Sequence, residues 1–232
     1  MSIERHDFSN SSDLAEALAT AIAEKLDEAI QARGHSVLAV SGGTTPKRLF
    51  EVLSRKNIDW NLVTITLVDE RFISPDHERS NEKLVRDHLL NNQAGVAKFI
   101  GLYNPAATAE TAGIAAANRI SALPRPFDVV VLGMGLDAHT ASFFPGGDRL
   151  DQALDPNEKA LVVPMQAEGA GERRLTLTLP LLVEARMLVM HIEGNDKLTV
   201  LDEALACEDS MKKPVRAVFQ HAKTPVQLYW AP

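Results

Sequence analysis

The chain has 232 residues, 45% hydrophobic and 24% charged, with a net charge of −7 and one cysteine. Its length and apolar fraction point to one large α/β domain spanning residues 1–232, and the acidic balance argues against a general nucleic-acid binder, whose footprint is basic. No apolar run approaches the roughly 20 residues of a membrane span, residues 1–13 lack the apolar core of a signal peptide, and Cys207 has no partner for an internal disulfide, so the expected compartment is a reducing cytoplasm.

Ile3–Phe8 is expected as an edge strand. Asn10-Ser11-Ser12-Asp13 supplies helix caps, and Leu14, Leu18, Ile22, Leu26 and Ile30 recur every four residues before Gly34, the pattern of a long amphipathic helix. Ser36–Val40 is a short strand running directly into Ser41-Gly42-Gly43-Thr44-Thr45-Pro46. Pro46 suits the first helical position, with Thr45 or Thr44 as cap. Such a turn exposes amides and hydroxyls at the positive end of a helix dipole, as a phosphate cradle does; a tight turn with a good cap accounts for the same residues. Its spacing does not match Gly-x-x-x-x-Gly-Lys-[Ser/Thr], which argues against a Walker-type nucleotide site.

Leu62–Val68 reads as a strand ending in Asp69-Glu70-Arg71. Three successive charges there are costly unless they meet one another or a ligand, so they form either a structural ion-pair cluster or part of a crevice. Ser80 is expected to cap a helix over Asn81–Leu90, followed by a strand at Lys98–Leu102 and an Ala-rich helix over Thr108–Leu123. His77, between Asp76 and Glu78, reads as a solvated residue. No His/Cys/carboxylate set has metal-ligand spacing, and neither a metal nor another cofactor is expected.

Phe127–Gly147 is the most informative stretch. Val129, Val130 and Val131 form an apolar run without alternation, as in a strand buried on both faces. The run breaks at Gly133-Met134-Gly135 and then presents Asp137, His139, Thr140 and Ser142 before Pro145-Gly146-Gly147 stops any helix. In an open parallel sheet the loop leaving a central strand faces the ligand crevice. An imidazole two residues from a carboxylate in that loop is the best catalytic candidate, although a buried histidine bonded to backbone would look the same. Gly133-x-Gly135-x-x-Ala138 formally matches a dinucleotide fingerprint, but too few residues separate it from Pro145 for the helix such a site needs.

Farther on, Ala160–Pro164 is a short strand, Gln166–Gly171 a loose loop, and Arg173–Leu179 alternates as a strand with one buried face should. Pro180–Ala185 is a short helix, Met187–Ile192 a buried strand, and Gly194-Asn195-Asp196-Lys197 opens a helix through Ala206. A cation in a first helical turn is unfavourable without an anion nearby, so Lys197 either meets one or faces solvent. Val215–His221 and Val226–Trp230 complete the chain as a helix and a strand.

Taken together, Val40–Pro46 (VSGGTTP), Val68–Arg71 (VDER) with Ser80-Asn81, Gly133–Pro145 (GMGLDAHTASFFP), Arg174–Pro180 (RLTLTLP) and Gly194–Lys197 (GNDK) resemble the 6-phosphogluconolactonase branch of the glucosamine-6-phosphate isomerase/6-phosphogluconolactonase family, in family order. The resemblance implies a three-layer α/β/α, modified Rossmann-like fold with an open, mostly parallel sheet, and a monomer. It implies hydrolysis of 6-phospho-D-glucono-1,5-lactone in the oxidative pentose phosphate pathway. His139 would be the general base, Asp137 its support and Arg71 the stabiliser of negative charge. Ser41, Gly42, Gly43, Thr44, Thr45, Arg174 and Lys197 would bind the phosphate, with no partner other than this small molecule. The deaminase branch, which acts on glucosamine 6-phosphate, is similar in its cradle and Asp-His loop. It carries an aromatic residue where this chain has Arg71 and a carboxylate where this chain has Phe144. A non-catalytic sugar-phosphate sensor is the other alternative. The lactonase loop usually reads Asp-Gly-His-Thr-Ala-Ser; if that glycine has φ > 0, Ala138 is strained or the loop reshaped, with function expected to be retained.

Overall fold

The computed structural model describes residues 2–106 and 108–232. Its main element is a seven-stranded sheet in the order β1-β10-β9-β6-β2-β3-β5, in which every neighbouring pair is parallel. The strands are β1 (Ile3–Asp7), β2 (Ser36–Val40), β3 (Val63–Leu67), β5 (Lys98–Ile100), β6 (Val129–Leu132), β9 (Met187–Glu193) and β10 (Val226–Ala231). Helices cover both faces, as the α/β pattern requires. The apolar runs of β2 and β6 are buried at every position because they lie mid-sheet between helical layers, whereas β1, an edge strand, is mostly exposed.

The connecting helices begin and end where local chemistry directs. Helix α1 (Ser11–Arg33) is capped by Asn10, whose side chain accepts from the amides of Ser12 and Asp13, and stops at Gly34 with φ 75°. Its face of Leu14, Leu18, Ile22 and Leu26 is fully buried. Helix α2 (Lys47–Leu53) departs from expectation: Pro46 is its cap residue, and neither Thr44 nor Thr45 supplies a capping side chain. Both hydroxyls are therefore left for other partners. Helix α3 (Asn81–His88) is capped by Ser80, and α4 (Ala109–Ser121) by Thr108.

A second sheet was not legible in the sequence. After β3 the chain turns away, and β4 (Asp69–Arg71) pairs antiparallel with β8 (Arg174–Leu177), which pairs antiparallel with β7 (Val162–Met165). β8 is buried at every position rather than on alternate ones: α4 packs on the Leu175 side, while Phe144 and Ser142 cover Arg174 and Thr176 on the other. The short α5 (Leu150–Leu154), which has no side-chain cap, was also not anticipated. The later helices are α6 (Leu179–Val183), α7 (Asn195–Ala206) and α8 (Val215–His221). No helix among the described residues is long and apolar enough to cross a membrane.

Topology then fixes where a ligand can sit. From β2 the chain proceeds to β3 on one side, while β6 later pairs with the other side of β2. The loops leaving β2 and β6 diverge at this reversal and open a crevice at the carboxyl ends of the strands.

Candidate active site

The crevice holds a cavity of about 290 Å³. All of Ser41, Gly42, Gly43, Thr44, Thr45, Arg71, His139, Arg174 and Lys197 line it. Asp137 reaches it through the His139 ring: its Oδ1 lies 2.5 Å from Nδ1.

Ser41 leaves β2 with its amide donating to the Val131 carbonyl at 3.0 Å, and its Oγ accepts from the Gly133 amide at 3.2 Å. These bonds tie the turn to the start of the catalytic-candidate loop. The amides of Gly42, Gly43, Thr44 and Thr45 donate to no protein acceptor among the described residues. Gly43 has φ 93°, which a side chain would strain. Gly42 is required for another reason, since a Cβ there would stand 1.9 Å from Asn81 Oδ1. Lys197, in the first turn of α7, donates from Nζ to Thr45 Oγ1 at 3.2 Å. Burial pulls its pKa below the usual lysine value, while the Glu193 carboxylate opposes that shift. The lysine is thus half-buried against uncapped amides rather than facing solvent.

The loop from Gly133 braces itself. Thr140 Oγ1 donates to the Gly133 carbonyl at 2.8 Å, and the Gly135 amide donates to the His139 carbonyl at 3.0 Å. Gly135 permits the imidazole to lie across the backbone: a Cβ there would be 2.3 Å from His139 Nδ1. The His139 side chain is 30% exposed, so the alternative of a buried histidine bonded to backbone does not hold. Partial burial pushes Asp137 upward, but the hydrogen bond and charge of His139 hold its carboxyl below the ordinary aspartate range. With Nδ1 directed at Asp137, Nε2 is the nitrogen left for chemistry. Phe144 stacks on the imidazole with centroids 4.2 Å apart, and Arg174 Cζ lies 5.3 Å from the Phe144 ring.

The Asp69-Glu70-Arg71 triplet divides between both of its possible roles. Asp69 and Arg71 face the cavity, where Asp69 Oδ2 accepts from Ser142 Oγ at 2.6 Å and lies 3.8 Å from Arg174 Nη1. Glu70 points away and is fully buried, accepting from the amides of Arg71, Asn81 and Glu82 and from Ser80 Oγ. It ties β4 to the start of α3. Burial pushes its pKa up, and these donors pull it back. Arg71 donates from Nη1 to the Arg79 carbonyl and to Asn81 Oδ1, both at 2.7 Å. Arg71 therefore neighbours the glycine turn through Asn81, and Arg174 neighbours the imidazole through Phe144.

Asp69, Asn81, Phe144 and His191 also line the cavity but were not singled out as site residues. A polar residue in the otherwise apolar run Met187–Ile192, with Glu193 two positions later on the same face, was the available signal for His191. No group of three or more His, Cys, Asp or Glu side chains among the described residues could hold a metal ion.

Relatives carry the same architecture. A 6-phosphogluconolactonase from Rhizobium meliloti (strain 1021) is 54% identical over 232 residues, covering 100% of both chains. One from Mesorhizobium japonicum is 48% identical over 225 residues, 97% of this chain and 94% of that protein. The crystal structure of a 6-phosphogluconolactonase from Shewanella baltica OS155 superposes with a TM-score of 0.96 at 46% identity, covering 99% of this chain and 98% of the other. The family described as glucosamine-6-phosphate isomerases/6-phosphogluconolactonase matches residues 9–230, and the chain belongs to that family.

Proposed function

We propose that the protein is a carboxylic ester hydrolase, a single domain over residues 1–232, that converts 6-phospho-D-glucono-1,5-lactone to 6-phosphogluconate in the oxidative pentose phosphate pathway. The observation that carries this reading is one cavity shared by a carboxylate-oriented imidazole and a turn with uncommitted amides beside Lys197. The lactonase relatives support the choice of substrate.

In this reading the phosphate dianion sits on the amides and hydroxyls of Ser41–Thr45 and is neutralised by Lys197 and Arg174. That remote grip places the lactone carbonyl without taking part in bond breaking. Neutral His139 donates from Nδ1 to Asp137 and accepts a water proton at Nε2 as the water oxygen bonds to the carbonyl carbon. Arg71 stabilises the negative charge that develops on the lactone oxygens. The carbon–ring oxygen bond then breaks, and the imidazolium returns its proton to the departing oxygen. Asp137 stabilises the imidazolium between these steps. The deaminase alternative needs a carboxylate where Phe144 stacks on His139, and phenylalanine carries no proton.

The test is a coupled assay in which glucose-6-phosphate dehydrogenase generates the lactone and its disappearance is followed with and without the protein. Accelerated loss with 6-phosphogluconate as product supports the reading. Loss at the spontaneous rate, or ammonia release from glucosamine 6-phosphate, rules it out. The cations are separated by kinetics: Arg174→Ala should act through KM, and a loss carried by kcat would exchange the roles of Arg174 and Arg71.

A further inference from the structure

The mechanism above leaves two buried titratable groups at the cavity, Asp69 and His191, without a task. His191, near the end of β9, is 2% exposed and forms part of the cavity wall. Its Nε2 pairs with Glu193 Oε1 at 3.0 Å, and Glu193 Oε2 accepts from Ser11 Oγ at 2.6 Å, from the first turn of α1. Both carboxylate oxygens are thereby committed and the ring is fixed in rotation. Nδ1 makes no hydrogen bond to protein among the described residues and is not among the fully buried unpaired atoms, so it keeps contact with the cavity space. An apolar side chain would fill this space without the cost of burying an imidazole. The chain Ser11–Glu193–His191 therefore reads as a mount for a nitrogen that lacks its ligand.

The place of that nitrogen identifies the ligand's chemistry. His191 lines the same cavity as Thr45 and Lys197, and Glu193 acts on Lys197 through its charge. We propose that His191 is a further substrate-binding residue, presenting Nδ1 to the phosphate of the substrate, with Glu193 and Ser11 as its positioning residues. This rests on the phosphorylated-lactone reading and deepens it. With Nε2–H given to Glu193, a neutral ring offers a phosphate only a lone pair, which repels it. The imidazolium offers Nδ1–H, so phosphate binding selects the protonated ring. Of the charged groups, Glu193 lies on the same strand and Lys197 of α7 lines the same cavity. Tyr229 stands opposite His191 in the β9–β10 register, and His139 shares the cavity.

The experiment is calorimetric titration of inorganic phosphate and 6-phosphogluconate at about pH 6 and about pH 8, either side of an ordinary imidazole transition at about 6.5. It compares the parent protein with His191→Leu, His191→Asn and Glu193→Gln, with KM and kcat measured alongside. The parent should bind both ligands more weakly at the higher pH. His191→Leu should lose about 10- to 100-fold in affinity at the lower pH, as expected for a hydrogen bond to a charged group, and should lose the pH dependence. His191→Asn restores an uncharged donor near the Nδ1 position and should recover part of the affinity without the pH dependence. Glu193→Gln should also weaken binding, and kcat should stay within about threefold throughout because the group binds rather than reacts. Parent-like affinity in His191→Leu overturns the inference. If that variant does not fold, a His191→Asn protein that keeps the parent's pH dependence does so instead. A parent that binds neither ligand overturns the lactonase reading together with this one.

Discussion

Ala138 occupies a backbone position that favours glycine, and the consequence of restoring glycine can be worked from the structure. Its φ is 66°, its side chain is fully buried, and its carbonyl accepts from the Val215 amide at 3.0 Å. Removing the methyl in Ala138→Gly relieves about 1–2 kcal/mol of left-handed strain. Against this, glycine adds about 0.4–1 kcal/mol of unfolded-state entropy, and loss of the buried methyl costs about 0.8 kcal/mol. The balance lies within about 1 kcal/mol of zero, a shift in Tm of no more than about 4 °C for a chain of this size. Alanine is tolerated at this position because its methyl is well packed. Ala138→Val adds a β-branch to the same backbone with no exposed surface to receive it, and should cost at least about 2 kcal/mol. Thermal unfolding by circular dichroism, with lactone turnover measured in parallel, checks both variants. Turnover of the glycine variant should match the parent, since the contacts from Gly135 and Val215 that shape the loop are backbone bonds. Stabilisation or destabilisation of the glycine variant by more than about 2 kcal/mol would show that one of these terms is misjudged.

Other consequences concern the groups around the imidazole and the buried carboxylate. Asp137→Asn removes a charge-assisted acceptor from Nδ1 and should lower kcat by about 10- to 100-fold with little change in KM; an unchanged kcat would free His139 of its orienting partner. The folded-state pKa of Asp137 is depressed, so its contribution is fully present above the ordinary carboxylate value and is lost as pH falls through the lower, folded value. A pH profile of kcat should therefore show the Asp137 contribution persisting below the ordinary carboxylate value, and its loss at or above that value would contradict the assignment. Lys197→Ala should raise KM by about 10-fold or more while sparing kcat, and unchanged KM would move the phosphate site elsewhere. Glu70→Gln replaces one oxygen with an amide group aimed at backbone donors and should cost at least about 2 kcal/mol in thermal unfolding; a neutral result would mean that β4 is not held to α3 through this side chain.

Much of the main sheet could be read from local pattern because local pattern is what forms it. The four-residue repeat from Leu14 to Ile30 and the unbroken apolar runs at Val37–Val40 and Val129–Leu132 each encode burial directly. The small antiparallel sheet was hidden because β4 is three charged residues whose pairing with β8 is set by tertiary contact, not by periodicity. Arg174 and Thr176, on positions where alternation implied exposure, are buried by Phe144 and Ser142 from the loop after β6. At the cavity, the glycine turn and the Asp-His loop announce themselves by composition. By contrast, Thr44 and Thr45 looked like caps because threonine at a helix start usually is one. Here Pro46 begins the helix without them, and Thr45 instead receives Lys197 from far along the chain. His191 escaped notice because a histidine and a glutamate two positions apart in an apolar strand reveal a shared face but not that the two side chains pair.

The division of labour across the cavity, with phosphate held at the glycine turn while His139 activates water, is tested most directly by separating turnover from binding in one variant. His139→Ala should lower kcat in the coupled lactone assay by about 10²- to 10⁴-fold, while its affinity for 6-phosphogluconate stays within about threefold of the parent. A His139→Ala protein that turns over the lactone at the parental rate, or one that loses affinity and turnover together, would contradict the assignment.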